Sequence, residues 1–218
     1  MTEDAEHTVI QVYRRHGHFW TGLRGDRLAE GPWLDRFCGT LPAGAEILDI
    51  GCGSGLPIAR ELVRRGFVVT GLDGASEMLN QFRRNLPGQS AVLGDMRALA
   101  LRRRFAGLLA WDSFFHLSPS DQRGMFARFR AHAAPGAALM FTSGTEEGSA
   151  IGELGGEPLY HGSLGPAEYR ALLDTNGFDV VRHVVKDPSC DRTVWLARFR
   201  DGADMGSTRV LTIPNAPL

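Results

Sequence analysis

Residues 46–79 read EILDIGCGSGLPIARELVRRGFVVTGLDGASEML, and this stretch predicts the fold. The apolar run Glu46–Ile50 is typical of a strand that is buried on both faces of a sheet. A loop with three glycines follows, and the apolar stripe of a helix begins after Pro57. A second apolar run, Phe67–Leu72, leads directly to Asp73. A strand, a glycine loop, a helix and a second strand in succession form half of a nucleotide-binding α/β unit.

The same alternation of strands and helices continues downstream. Ser76 is predicted to cap the next helix, and Ser120 or Asp121 is predicted to cap a helix that runs to about His132. Further strands are predicted over residues 91–93, 105–111 and 137–142. Strands that alternate with helices indicate a parallel sheet that is covered on both sides.

The pattern changes toward the C-terminus. Residues 144–156 are rich in glycine and acidic residues and are predicted to form a loop. A helix over 166–176 is followed by two apolar runs, 178–186 and 193–199, whose short connection predicts an antiparallel hairpin. The tail, 200–218, has one apolar patch. Three structures stay open for it: an extra edge strand, a dimer arm or a disordered segment.

Composition favours one domain over residues 1–218, with an N-terminal helical segment (1–41, helix at 8–20) and a core at 46–199. The net charge of -1 gives no global attraction to nucleic acid or to a membrane surface. The three cysteines are odd in number and lack CxxC spacing, which fits a reducing compartment. The N-terminus lacks the basic and apolar segments of a signal peptide, and no apolar run approaches the ~20 residues of a membrane span. A cytoplasmic protein is therefore expected.

Acidic residues stand at the ends of successive predicted strands, where open α/β sheets bind their ligands. Asp73 follows Gly51 by 22 residues, the distance expected of a carboxylate that binds ribose hydroxyls. A dinucleotide fingerprint needs a third glycine where this chain has Leu56, and no Gly-Lys-Ser/Thr of a P-loop is present. Asp95 and Asp112 end the next two strands.

With these features the chain resembles the class I S-adenosylmethionine-dependent methyltransferases. The likeness rests on LDIGCGSG, GLDGASEML, GDMRAL, LLAWDSFFHL, LMFTSG and EYRALLDTNGF, in that order, and covers residues 46–199. It implies an α/β fold: a Rossmann-like three-layer sandwich around a seven-stranded, mostly parallel sheet. The implied strand order is 3-2-1-4-5-7-6 with strand 7 antiparallel, in agreement with the predicted hairpin. The implied cofactor is S-adenosyl-L-methionine, which leaves as S-adenosyl-L-homocysteine.

The resemblance also implies the residues that bind the cofactor. They are Asp49, Gly51, Cys52, Gly53, Asp73, Gly74, Met78, Asp95, Met96 and Trp111. Asp49 and the glycine loop would hold the methionine portion, Asp73 the ribose hydroxyls and Asp95 the adenine amino group. Trp111 would lie near the sulfonium. Purely structural roles stay open: Asp73 could cap the next helix, and both methionines and Trp111 could be core.

The sequence says less about the residues that would contact the methyl acceptor. Methyl transfer depends mainly on proximity, and a general base is needed only when the acceptor must lose a proton. Asp112 and His116 are the candidate catalytic residues; a helix cap and a packed histidine are the respective alternatives. Candidate substrate residues are Tyr13, His16, Tyr160 and His161. The alternative for Tyr13 and His16 is a helix packed on the core, and the alternative for Tyr160 and His161 is anchoring of a loop. In similar enzymes the N-terminal segment is a lid. No metal site is predicted, since His16-Gly17-His18 has no third ligand.

The main hypothesis is a methyltransferase (EC 2.1.1) that acts on a small molecule, as a monomer or homodimer without nucleic-acid or membrane partners. Asp112–Phe115 stands where Asn-Pro-Pro-Tyr marks typical adenine- or glutamine-directed enzymes, so O, N, S and C acceptors stay open. The alternatives are a non-catalytic binder of the same cofactor and a nicotinamide-dependent oxidoreductase, which Leu56 disfavours.

Overall fold

The computed structural model describes residues 2–200; the apolar patch of the tail, Val210–Ile213, lies outside them. The helices are α1 (Thr2–Arg24), α2 (Gly31–Cys38), α3 (Ile58–Arg64), α4 (Ser76–Asn85), α5 (Pro119–His132) and α6 (Pro166–Thr175). The strands are β1 (Glu46–Ile50), β2 (Val68–Asp73), β3 (Ser90–Leu93), β4 (Phe105–Ala110), β5 (Ala133–Ser143), β6 (Gly148–Leu154), β7 (Glu157–Ser163), β8 (Phe178–Asp187) and β9 (Arg192–Phe199). Short 3₁₀ turns cover Met96–Ala98 and Phe114–His116.

Seven strands form one sheet in the order β3-β2-β1-β4-β5-β9-β8. The first five are parallel, and β9 pairs antiparallel with both β5 and β8. The predicted fold class and strand order are confirmed, with β9 and β8 in the places of strands 7 and 6. The carboxyl ends of β1, β2 and β4 consequently lie side by side at one edge.

Buried side chains cover both faces of the sheet, as the continuous apolar run of β1 predicts. Leu48 and Ile50 pack on one face with helices α5 and α6, and Ile47 packs on the other face with α2, α3 and α4. Alternate residues of one strand therefore enter different cores. The result is the three-layer sandwich.

The prediction of a loop over residues 144–156 is wrong, because β6 and β7 form a separate two-stranded sheet there. A turn at Gly155-Gly156, both with positive φ, connects them. Every residue of β6 before Leu154 is exposed, so the strand lacks the alternation of apolar and polar residues that reveals a half-buried strand. Contacts of Leu159 and Tyr160 with α1 hold the hairpin in place.

Several predicted boundaries shift. Helix α1 begins at Thr2 and continues past Thr21 and Gly22 to Arg24, because its buried face packs on the β6–β7 hairpin and outweighs the helix cost of glycine. The capping residue of α5 is Ser118, whose hydroxyl accepts from the Asp121 N–H, so neither predicted cap is correct. Ser76 is likewise the first residue of α4 rather than its cap. In residues 2–200 no helix is long and apolar enough to cross a membrane.

Candidate cofactor and acceptor site

A cavity of about 1100 Å3, including the open space at its mouth, lies at the carboxyl edge of the sheet. Its walls are the loops after β1, β2, β3 and β4, and helix α1 covers it. The structure brings together all ten predicted cofactor residues in this wall: Asp49, Gly51, Cys52, Gly53, Asp73, Gly74, Met78, Asp95, Met96 and Trp111. Tyr13, Asp112 and His116 line the same cavity.

The glycine loop after β1 is held by hydrogen bonds to the neighbouring strand. The N–H groups of Gly51 and Cys52 both donate to the Leu72 carbonyl at 2.7 and 3.1 Å. Gly51 has φ of 75°, and a Cβ there would collide with the Ser113 side chain. Glycine is therefore required twice at this position, for its backbone angle and for the space.

Asp73 connects the glycine loop to the start of α4. Its Oδ2 accepts from the Gly53 N–H at 2.9 Å, and its Oδ1 accepts from the Ala75 N–H at 2.8 Å. Burial raises the pKa of Asp73, and the backbone donors oppose that rise. Asp73 therefore does bond to the start of α4, as the helix-capping alternative predicts. These bonds fix its carboxylate at the cavity wall.

Asp49 is a buried carboxyl group, with 5% of the residue exposed, and no N–H or side chain of residues 5–200 donates a hydrogen bond to it. Burial, with a further contribution from the Asp73 charge, raises the pKa of Asp49 to about 7. A positive charge bound in the cavity would favour the ionised form of this group.

The cavity is acidic in balance. Carboxyl groups that line it belong to Glu6, Asp49, Asp73, Asp95 and Asp112, whereas the arginines are Arg24 and Arg97. Arg24 is already paired with Glu30, and Arg97 is paired with Asp95. The local field therefore favours a cationic ligand and opposes an anionic one.

Asp95 is engaged by Arg97, a neighbour that the sequence did not single out. Arg97 donates from Nε and Nη2 to Oδ2 of Asp95 at 2.9 and 2.6 Å, and its backbone N–H donates to Oδ1 at 2.9 Å. Burial alone would raise the pKa of Asp95, but the bonds from Arg97 outweigh it and hold the pKa below its usual value. The Asp95 carboxylate is therefore ionised and fixed at the wall.

Tyr13 and His116 form a hydrogen-bonded pair on the acceptor side. The Tyr13 hydroxyl lies 2.9 Å from His116 Nε2, and His116 Nδ1 lies 2.8 Å from the Tyr160 carbonyl. Because a carbonyl only accepts, Nδ1 carries the proton, and Nε2 accepts from the Tyr13 hydroxyl. Burial lowers the pKa of His116 to about 3, while burial and the charges of Asp112 and Asp73 raise the pKa of Tyr13. Both groups are accordingly neutral near pH 7.

Asp112 is held by Arg192 from the start of β9. Arg192 Nε and Nη2 donate to the two carboxylate oxygens at 2.7 and 3.0 Å. Sequence reasoning missed this arginine because it lies 80 residues away, and only the pairing of β5 with β9 brings it to the cavity.

Three predicted substrate residues are not in the cavity wall. His16 Nε2 lies 2.6 Å from Glu157 Oε1, and the Tyr160 side chain is buried between α1 and the β6–β7 hairpin. His161 packs its ring 4.9 Å from the ring of His116. These contacts agree with the structural alternatives, a packed helix for His16 and loop anchoring for Tyr160; a substrate role stays a prediction for all three.

Comparison with known proteins bears directly on this site. Residues 47–136, which contain β1 to β4 and their loops, match the family described as methyltransferase domain. This match supports the resemblance to the class I S-adenosylmethionine-dependent methyltransferases. A structure of an S-adenosylmethionine-bound amino pentose methyltransferase from Micromonospora echinaspora has the same fold, at a TM-score of 0.65 and 22% identity. The alignment covers 80% of this chain and 92% of that one.

Two curated methyltransferases from Streptomyces are similar in sequence. One, from Streptomyces fradiae, is a dTDP-3-amino-3,6-dideoxy-alpha-D-glucopyranose N,N-dimethyltransferase, 34% identical over 96 residues, which are 43% of this chain and 37% of that protein. The other, from Streptomyces venezuelae, acts on the 3-amino-3,4,6-trideoxy sugar; it is 28% identical over 56% of this chain and 52% of its own length. The chain thus spans about half or less of the curated relatives it matches.

Proposed function

We propose that this chain is an S-adenosylmethionine-dependent N-methyltransferase whose acceptor is an amino group of a small molecule. The observation that carries the proposal is the acidic cavity at the carboxyl edge of the sheet. S-adenosylmethionine has a sulfonium and an ammonium group, so its charges complement the carboxylates. The pyrophosphate of a nicotinamide dinucleotide would meet repulsion from the same groups, which argues against the oxidoreductase.

The cavity residues suit the parts of the cofactor. Asp73, which is held by two backbone donors, would accept from the ribose hydroxyls. The buried Asp49 would meet the ammonium group. Asp95 would accept from the adenine amino group beside Met96. When bound, the cofactor supplies an electrophilic methyl group. The contribution of this chain is then to place an acceptor in line with that methyl group and to keep water out.

The acceptor side favours nitrogen over oxygen. The Tyr13 hydroxyl donates a hydrogen bond to His116. Its oxygen lone pairs are therefore free to accept a hydrogen bond from an amine N–H. A neutral amine needs no base for its attack, whereas a hydroxyl must lose its proton. His116, with its pKa lowered to about 3, is a weak base for that task. The curated relatives, whose names specify amino sugars, support the same assignment.

A panel of matched amine and alcohol pairs tests the proposal. It should include 3-amino-3-deoxyglucose with glucose, each free and as its dTDP conjugate, and it should follow S-adenosylhomocysteine release and the acceptor mass. We expect turnover of at least one amine and of none of the matched alcohols. Turnover of an alcohol in preference to its amine would contradict the choice of nitrogen. Cofactor binding without turnover of any amine would favour the non-catalytic binder.

A further inference from the structure

Asp112 is fixed at the end of β4 by three separate restraints. Its backbone has φ of 49°, a left-handed conformation that a non-glycine residue keeps only where its surroundings enforce it. Its N–H donates to the Thr142 hydroxyl at 2.9 Å. Its two carboxylate oxygens each accept one bond from Arg192. The side chain therefore has one orientation rather than a choice of rotamers.

Arg192 is suited to fix an orientation because a guanidinium donates two parallel hydrogen bonds to a carboxylate. A lysine would supply the same charge from a single rotatable ammonium group, without the fixed geometry. The Arg192 side chain is 38% exposed and that of Asp112 is 11% exposed, so the arginine approaches from the rim and the carboxylate points inward. The hydrogen bonds that Arg192 donates to Asp112 raise the pKa of Arg192, in keeping with a close pair.

The charge of the Asp112 carboxylate affects the pKa of groups on two other elements, α1 and β7. Its charge contributes to the raised pKa of Tyr13 on α1, and it opposes the burial that lowers the pKa of His161 on β7. Asp73 on β2 also acts on Tyr13, and the neutral ring of His116 lies beside His161. Arg192 is the charged group that hydrogen-bonds Asp112 within residues 2–200.

We propose that Arg192 is a positioning residue, which holds the Asp112 carboxylate toward the point of methyl transfer so that it meets the positive charge developing on the acceptor nitrogen. This inference rests on the proposed function. A carboxylate fixed in advance stabilises that charge without rearranging during the reaction. Arg192 lies outside the region 47–136 that matches the family.

Sinefungin tests the inference without knowledge of the acceptor. This cofactor analogue carries a primary amine where the sulfonium carries its methyl group, so its ammonium occupies the position at issue. S-adenosylhomocysteine has no charge there. Calorimetry would give the dissociation constant of each ligand for the wild type, Asp112→Asn, Arg192→Lys and the double variant. The quantity compared is the ratio of the S-adenosylhomocysteine constant to the sinefungin constant.

We expect Asp112→Asn to lower this ratio about tenfold, because it removes a charged hydrogen-bond partner, and Arg192→Lys to lower it about threefold. In the double variant the lysine should cause no further loss, because Arg192 acts through Asp112. Arg123→Lys is the matched control: it alters the Arg123–Glu168 pair, which has the same two-bond geometry but does not line the cavity. Its ratio should equal that of the wild type.

An unchanged ratio in Asp112→Asn or in Arg192→Lys would overturn the inference. If Arg192→Lys weakened the binding of both ligands equally, the arginine would only support the fold, and the inference would fail. It would also fail if Arg192→Lys lowered the ratio as much in the Asp112→Asn background as in the wild type. Failure of wild-type protein to bind S-adenosylhomocysteine would instead contradict the proposed function itself.

Discussion

At the scale of single residues, the site is built from carboxylates in different electrostatic states. Asp95 and Asp112 are each fixed by an arginine, Asp73 is fixed by backbone N–H groups, and Asp49 has no hydrogen-bonding partner within the described chain. The strand-end positions of all four could be predicted from the sequence. Their partners could not, because Arg192 reaches Asp112 only through the pairing of distant strands.

Asp73→Asn should weaken S-adenosylhomocysteine binding about 10- to 100-fold. A hydrogen bond to a charged group contributes roughly 1.5–3 kcal/mol, and the amide would replace the carboxylate that we propose accepts from the ribose hydroxyls. Calorimetry measures the change. Asp179→Asn is the control. Asp179 lies at the exposed start of β8, where it pairs with Arg200. Affinity within twofold of wild type would mean that Asp73 only organises the glycine loop.

His116 should make stability depend on pH. Its pKa is about 3 in the folded chain and 6.5 unfolded, so between these values the unfolded state binds a proton that the folded state does not. The stabilisation is present above pH 6.5 and is lost as the pH falls toward 3. Asp49, with its pKa raised to about 7, contributes in the opposite direction, because it loses stabilisation as the pH rises from 3.8 to about 7.

The variant His116→Gln separates the two effects, since Asp49 is present in both proteins. Denaturant unfolding at pH 7 and pH 5 should show that the variant loses about 2 kcal/mol less stability on acidification than the wild type. Equal losses in the two proteins would indicate that the imidazole is not held neutral by burial.

At the scale of elements, helix α1 covers the cavity, and the β6–β7 hairpin packs against that helix. Buried apolar side chains from both pack together, and Arg15 and His16 of α1 bind Glu157 at the start of β7. The periodicity of residues 8–20 predicted the helix, because a buried face leaves a 3.6-residue repeat. The hairpin left no such signal, since it is stabilised by strand pairing and by contact with a helix remote in sequence.

Glu157→Gln should loosen this cover. The change removes the ion pair to Arg15 and weakens the hydrogen bond to His16, and it leaves the buried apolar contacts in place. Amide hydrogen exchange should therefore accelerate in α1 and β7 with little change in the melting temperature. Glu168→Gln breaks the pair between α6 and Arg123 of α5, which does not involve α1, and should leave exchange in α1 unaltered. Identical exchange in both variants would show that apolar packing alone holds the cover.

At the scale of the whole molecule, a chain with a net charge of -1 concentrates negative charge at one edge of its sheet. The order of strands followed from a local pattern in residues 46–79 and from the terminal hairpin, because burial on both faces leaves continuous apolar runs. The acidic cavity follows from that order, since parallel strands end at one edge. We expect the identity of the acceptor to depend on the segments outside the sheet, 1–41 and 144–165, which local patterns do not specify.

Calorimetry on the wild-type chain with S-adenosylhomocysteine and, separately, NAD tests the central claim most directly. The acidic cavity predicts binding of one S-adenosylhomocysteine per chain and no measurable binding of NAD. Binding of NAD without S-adenosylhomocysteine would contradict the account.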